Sequence, residues 1–130
     1  MIAVPFAPCG RRPAPFLDVF LMAVGAGMPL SCTAQLDTGA DRTIVPQTVA
    51  DQLRLAEAAP IVFQGADGSL GTLPTYRLAL RVTSFRPIFL TVAASRHEPH
   101  VLLGRDFSNK YHITQDGRAR VLQVAEYPPT

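Results

Sequence analysis

The chain has 130 residues, 48% hydrophobic and 17% charged, which suits one domain with its own core and excludes intrinsic disorder. No run approaches the roughly 18 uninterrupted apolar residues of a membrane-spanning helix, and a net charge of +2 is too small to advertise a nucleic-acid partner. Two cysteines, Cys9 and Cys32, are too few for a disulfide scaffold and fit a reduced, cytoplasmic setting.

Residues 1–15 carry Pro5, Pro8, Pro13 and Pro15 together with Gly10, which reads as a flexible proline-rich arm. Phe16 to Val24 is almost continuously apolar and reads as a strand, Gly25-Ala26-Gly27 as a turn, and Leu30 to Leu36 as the returning strand. Arg11-Arg12 before this run and Leu30-Ser31-Cys32 after it imitate an export signal with a lipid-modified cysteine. Asp18 within the would-be apolar core and Pro13 and Pro15 at its start oppose that reading, as does the strand that cleavage at Cys32 would remove.

Pro46 can open a helix, since its missing N–H has no partner there anyway. Val49 and Leu53 then share one face, which predicts about two helical turns. Ile61-Val62-Phe63 leads into the glycine-rich Gly65 to Gly71. A period-two segment follows, with Tyr76, Leu78, Leu80 and Val82 on one side and Arg77, Ala79 and Arg81 on the other. Ile61 to Val82 thus reads as a long hairpin with a glycine-rich tip. Ile88 to Val92 and Val101 to Leu103 read as strands. Tyr111 to Gln115 and Arg118 to Val124 flank Asp116-Gly117, a two-residue hairpin signal. The sum is a mainly β domain, a small barrel or sandwich with one or two short helices and no βαβ alternation. The domain is expected over 16–125, with 126–130 as a tail.

Ala34-Gln35-Leu36-Asp37-Thr38-Gly39-Ala40-Asp41-Arg42-Thr43-Ile44-Val45-Pro46 is the most informative segment. A carboxylate ends a strand and is followed at once by a hydroxyl and a glycine. The strand fixes the acid, Thr38 can both donate and accept, and Gly39 permits close approach of backbone or ligand. Alone, Asp-Thr-Gly is also a turn sequence. A second segment, Val101-Leu102-Leu103-Gly104-Arg105-Asp106, runs an apolar pair into glycine and then into polar residues.

The two segments, with a glycine-rich hairpin between them, resemble the retropepsins, the single-domain aspartic proteases of retroviruses and retroelements with relatives in bacteria. The resemblance runs from about Phe16 to Val124 and implies a small closed β-barrel of the acid-protease type. It implies that Asp37 is the catalytic carboxylate, that Thr38 locks the loop to its symmetry mate, and that Gly39 approaches the substrate backbone. Ala40 and Asp41 would line the substrate site, and Leu102, Leu103 and Gly104 would support the catalytic loop from beneath. Arg105 would pair with Asp41. The tip Gly65-Ala66-Asp67-Gly68-Ser69 would be a flap that folds over an extended peptide by strand addition. That tip does not reproduce the retroviral flap sequence, and Gln35 stands at a position that is often apolar in the family.

The chemistry needs two carboxylates sharing a proton, one to take a proton from water and one to donate to the scissile carbonyl. The chain holds one Asp-Thr-Gly. Asp67-Gly68-Ser69 and Asp116-Gly117-Arg118 lack the intervening hydroxyl and sit at expected hairpin tips. The second carboxylate is therefore expected from Asp37 of another copy, in a two-fold homodimer. The expected activity is that of an aspartic endopeptidase on a peptide or protein substrate. His97-Glu98-Pro99-His100 offers two possible zinc ligands, but Pro99 breaks any helix that would align them and no third ligand stands nearby, so neither metal nor cofactor is expected. The competing readings are a catalytically silent member serving as a peptide-binding or dimerisation module, and a purely structural β module. The intact Asp37-Thr38-Gly39 favours catalysis.

Overall fold

The computed structural model describes residues 1–9, 12–25, 27–64 and 67–128. In chain order these form β1 (Ile2–Pro5), β2 (Ala7–Cys9), β3 (Arg12–Ala14), β4 (Phe16–Met22), β5 (Leu30–Leu36) and β6 (Ile44–Pro46), then α1 (Gln47–Leu53). After it come β7 (Ala56–Gln64), β8 (Leu70–Arg81), β9 (Ile88–Ser95), β10 (Val101–Leu103), α2 (Arg105–Ser108), β11 (Tyr111–Asp116) and β12 (Val121–Glu126). The mainly β class with two short helices is as expected.

The main sheet has seven strands in the order β4-β5-β10-β6-β9-β8-β7, and β4 also pairs with β8. That extra pairing, Phe20↔Arg81 to Met22↔Ala79, closes every strand but β7 into a ring. Period-two alternation sends Leu17, Val19 and Leu21 of β4 and Leu78 and Leu80 of β8 inward, while Asp18 and Arg77 face water. Phe107 of α2 has no exposed surface, its ring 4.9 Å from that of Tyr111. Among the described residues no helix is long and apolar enough to cross a membrane.

The expectation of a loose arm over 1–15 does not hold for its described residues; Gly10 and Arg11 lie outside them. β1 joins β11 and β12 in a second sheet, ordered β1-β12-β11, and Ile2, Val4 and Phe6 pack against the core. The prolines fit because they sit where no ladder N–H is needed. Pro5 ends an edge strand, and Pro8 and Pro13 face each other across the isolated β2–β3 ribbon.

Two hairpins also differ from expectation. β7 begins at Ala56, ahead of Pro60, because a bulge absorbs the proline. Ala58 pairs with Thr75 and Ile61 with Leu73, so Ala59 and Pro60 oppose Pro74 alone. The buried Thr75 hydroxyl donates to the Ala59 carbonyl at 2.6 Å, occupying an acceptor that the bulge frees. Between β11 and β12 the turn is longer than Asp116-Gly117. Asp116 pairs with Val121, the Asp116 carboxylate accepts the Ala119 N–H at 2.9 Å, and Arg120 takes the left-handed conformation, φ 55°.

What positions the site is one crossing of the chain. β10 pairs in parallel with β5 and antiparallel with β6, so it lies between two strands that are consecutive in sequence. The segment joining β5 to β6, residues 37–43, must therefore arch over the end of β10.

Candidate active site

Asp37 continues the β5 ladder by one residue, its N–H donating to the Leu103 carbonyl at 2.9 Å. The chain then turns, and the Ala40 N–H donates to the Asp37 carbonyl at 3.2 Å. Within this turn the Gly39 N–H reaches back to Asp37 Oδ1 at 3.0 Å. A β-carbon at Gly39 would lie 3.2 Å from the same oxygen, so glycine leaves the carboxylate room. Asp37 is half-exposed, Thr38 and Gly39 are exposed, and among the described residues Oδ2 receives no hydrogen bond. A carboxylate so held is fixed in direction yet open to a ligand.

The segment after β10 braces the arch from below. The Arg105 N–H donates to the Ala40 carbonyl at 2.8 Å, and the Arg105 guanidinium to the Thr38 carbonyl at 3.0 Å. Gly104 passes directly under Arg42; a β-carbon there would lie 2.6–2.9 Å from Arg42 backbone atoms. Of the residues expected beneath the loop, Leu102 and Leu103 pair with Gln35 and Leu36 of β5, and Gly104 makes a backbone crossing that only glycine fits.

The expected pairing of Arg105 with Asp41 does not occur. Among the described residues the one ion pair is Arg86–Glu126, at 3.0 Å, and Arg105 spends its guanidinium on the loop carbonyl of Thr38. Asp41 stays exposed. The acid that braces the loop is Asp106. Its Oδ1 accepts the Thr43 N–H at 2.9 Å, the Thr43 hydroxyl at 2.7 Å and the Phe107 N–H at 2.8 Å. Thr43 has no exposed surface, and its hydroxyl in turn accepts the Gly104 N–H at 3.2 Å. The signal in the sequence was a threonine between a polar loop and an apolar run, where burial obliges the hydroxyl to find a partner.

At the β7–β8 tip, Asp67 Oδ1 accepts both the hydroxyl and the N–H of Ser69, at 2.6 and 2.9 Å, which holds the fully exposed Asp67 carboxyl below its ordinary range. Gly68 is left-handed, φ 84°. Gly65 and Ala66, expected in the flap, lie outside the described residues. No hydrogen bond joins Asp67, Gly68 or Ser69 to the Asp37 loop.

Other candidates are accounted for by local structure. Both cysteines are free, and burial pushes the Cys32 thiol up, away from the reactive thiolate. His100 Nε2 lies 2.9 Å from Gln35 Oε1. Among the described residues no three His, Cys, Asp or Glu side chains gather as metal ligands.

Residues 24–107 match the family model described as aspartyl protease. No curated protein sequence matches the chain. Among solved structures, the chain is similar to a retropepsin-like aspartic protease from Rickettsia conorii, with a TM-score of 0.65 at 12% identity, covering 93% of this chain and 86% of that one. It is similar to EIAV protease, solved with an inhibitor, with a TM-score of 0.58 at 17% identity over 79% of this chain and 92% of that one. The protease of simian foamy virus (mac) gives a TM-score of 0.51 at 22% identity, covering 71% and 89% of the two chains.

Proposed function

The chain belongs to the aspartyl protease family, with a retropepsin-like fold, and from that premise we propose that it is an aspartic endopeptidase whose active unit is a homodimer with two Asp37 side chains at the axis. The observation that carries this reading is the carriage of Asp37: half-exposed, held by the Gly39 N–H on one oxygen, on a loop braced by the segment after β10.

Catalysis would run between the paired carboxylates. Two acids within hydrogen-bond reach cannot both ionise cheaply, so the pair shares one proton. The ionised Asp37 takes a proton from a water, whose oxygen attacks the scissile carbonyl carbon. The protonated Asp37 of the other copy donates to the carbonyl oxygen, giving a neutral tetrahedral diol. Proton transfer to the leaving nitrogen then accompanies cleavage of the C–N bond. The Gly39 N–H keeps the carboxylate aimed, while the Arg105 bond to the Thr38 carbonyl holds the loop that carries it. The β7–β8 hairpin would cover the peptide. Its exposed Val62, Phe63 and Leu70 supply the apolar surface such a cover needs.

The test compares wild type with Asp37→Asn, each sedimented and then incubated with a mixed peptide library at mildly acidic pH. A dimeric wild type whose cleavage is blocked by a hydroxyl-bearing transition-state analogue, beside an inactive but folded variant, is the expected result. Peptide binding without cleavage by wild type would assign the fold to a silent binding module instead.

A further inference from the structure

The edge of the site carries a polar pair that the proposed chemistry does not use. Gln35 lies two residues before Asp37, so the alternation of β5 puts both side chains on one face, opposite the buried Ala34 and Leu36. Paired residues of neighbouring strands project to the same side. Gln35 pairs with Phe16 of β4 and with Leu102 of β10, and Leu102 pairs with Ile44 of β6. Phe16, Gln35, Leu102 and Ile44 therefore form a row across four strands on the Asp37 face. Each is half-buried, whereas their chain neighbours Leu17, Leu36, Leu103 and Val45 belong to the core.

His100, on the approach to β10, closes this row. Its ring meets Phe16 edge-on, with centroids 5.2 Å apart, and its Nε2 is 2.9 Å from Gln35 Oε1. A carboxamide oxygen only accepts, so Nε2 is the donor. The bond fixes the Gln35 carboxamide by its oxygen and leaves both of its N–H donors without an acceptor among the described residues.

We propose that Gln35, held by His100, is a specificity-determining residue. Its N–H groups receive an acceptor-bearing side chain, a carboxamide or a carboxylate, from the peptide residue beside the scissile bond, against the apolar wall of Phe16, Leu102 and Ile44. This rests on the endopeptidase reading, and two-fold symmetry sets one such wall on each side of the Asp37 pair. An aliphatic side chain entering here strands the carboxamide donors, and a neutral hydrogen bond of this kind is worth roughly three- to tenfold in kcat/KM.

The experiment starts from a peptide that wild type cuts in the mixed library, remade with Gln, Met or Lys before the cut. Wild type is expected to favour Gln over Met by about fivefold. Gln35→Met keeps the length of the side chain and loses the preference. Gln35→Glu keeps an acceptor for His100 but replaces both donors with carboxylate oxygen, so the preference passes to Lys. That change separates a substrate-facing role from one confined to holding His100. Thermal unfolding establishes that each variant is folded. An unaltered ranking of the three peptides in both folded variants, with cleavage still abolished by Asp37→Asn, overturns the subsite and leaves the endopeptidase reading standing. Absence of any Asp37-dependent cleavage overturns both.

Discussion

Thr43 and Asp106 stand 63 residues apart in sequence, yet one carboxylate oxygen of Asp106 accepts both the backbone N–H and the hydroxyl of Thr43. Because the same hydroxyl accepts the Gly104 N–H, this contact ties the end of the Asp37 loop to the segment that crosses beneath it. Thr43→Val keeps the shape but strands the Gly104 N–H and is expected to cost about 2 kcal/mol. Asp106→Ala removes the acceptor of three donors and is expected to cost about 3 kcal/mol. Urea titration of both variants measures this. Values under about 0.5 kcal/mol, the level of an ordinary surface change, would show that the contact does not hold the loop.

The crossing makes a second prediction. Gly104→Ala would place a β-carbon 2.6–2.9 Å from the Arg42 backbone, with no flexible side chain able to yield. The loop must move, at a cost of about 3 kcal/mol and roughly 10 °C in Tm. Activity should fall more than stability at working temperature accounts for, because the displaced backbone continues into the Arg105 contacts with Ala40 and Thr38. A variant that melts with wild type and cuts at the same rate counts against the crossing.

These two contacts mark where the sequence was legible and where it was not. Val101–Leu103 was readable as a strand because an apolar run ending at a glycine is a local signal, and Leu30–Leu36 because a glycine-rich turn signal sets it as the return of a hairpin. Asp37 was readable because Asp-Thr-Gly is local too. The partner of Thr43 was not, since an acid next to Arg105 reads equally well as half of a surface ion pair. Choosing Asp106 over Asp41 requires knowing that β10 inserts between β5 and β6. The proline-bearing strands were missed for a related reason. Pro5 and Pro60 forbid a central ladder position but not an edge or a bulge, and only the sheet order shows which applies.

Tyr111 offers a pH-dependent test of the core. Burial raises its phenol to about 12, with the negative charge of Glu126 adding to the effect and Arg86 opposing it. No group among the described residues hydrogen-bonds its hydroxyl. The folded protein keeps the phenol proton above pH 10, where the unfolded chain loses it, so the unfolded state binds fewer protons and stability falls as pH rises. The stabilising difference is whole below pH 10 and is lost through about pH 12, a change on the order of 2 kcal/mol. Tyr111→Phe should flatten this limb of the stability profile and be neutral or stabilising by about 1 kcal/mol at pH 7, because it removes a buried hydroxyl that has no partner. An unaltered alkaline limb in the variant, followed by chemical denaturation between pH 8 and 12, would contradict the assignment.

The proposed sharing of one site by two chains can be tested by poisoning. Asp37→Asn keeps an oxygen to accept the Gly39 N–H, so the variant should fold, melt close to wild type and enter dimers with it. A mixed dimer then holds one carboxylate and one carboxamide, which cannot both take a proton from water and donate one to the carbonyl. With equal amounts of the two proteins and free exchange, about half of the wild-type chains sit in mixed dimers, so activity per wild-type chain should drop to about half and keep falling as the variant is added in excess. The same amount of an unrelated protein should leave it unchanged. Diluting wild type alone should lower its specific activity in step with dimer dissociation seen by sedimentation. Activity that scales linearly with wild-type chains, whatever the excess of variant, would mean that each chain works alone and that the second carboxylate is not Asp37 of a partner.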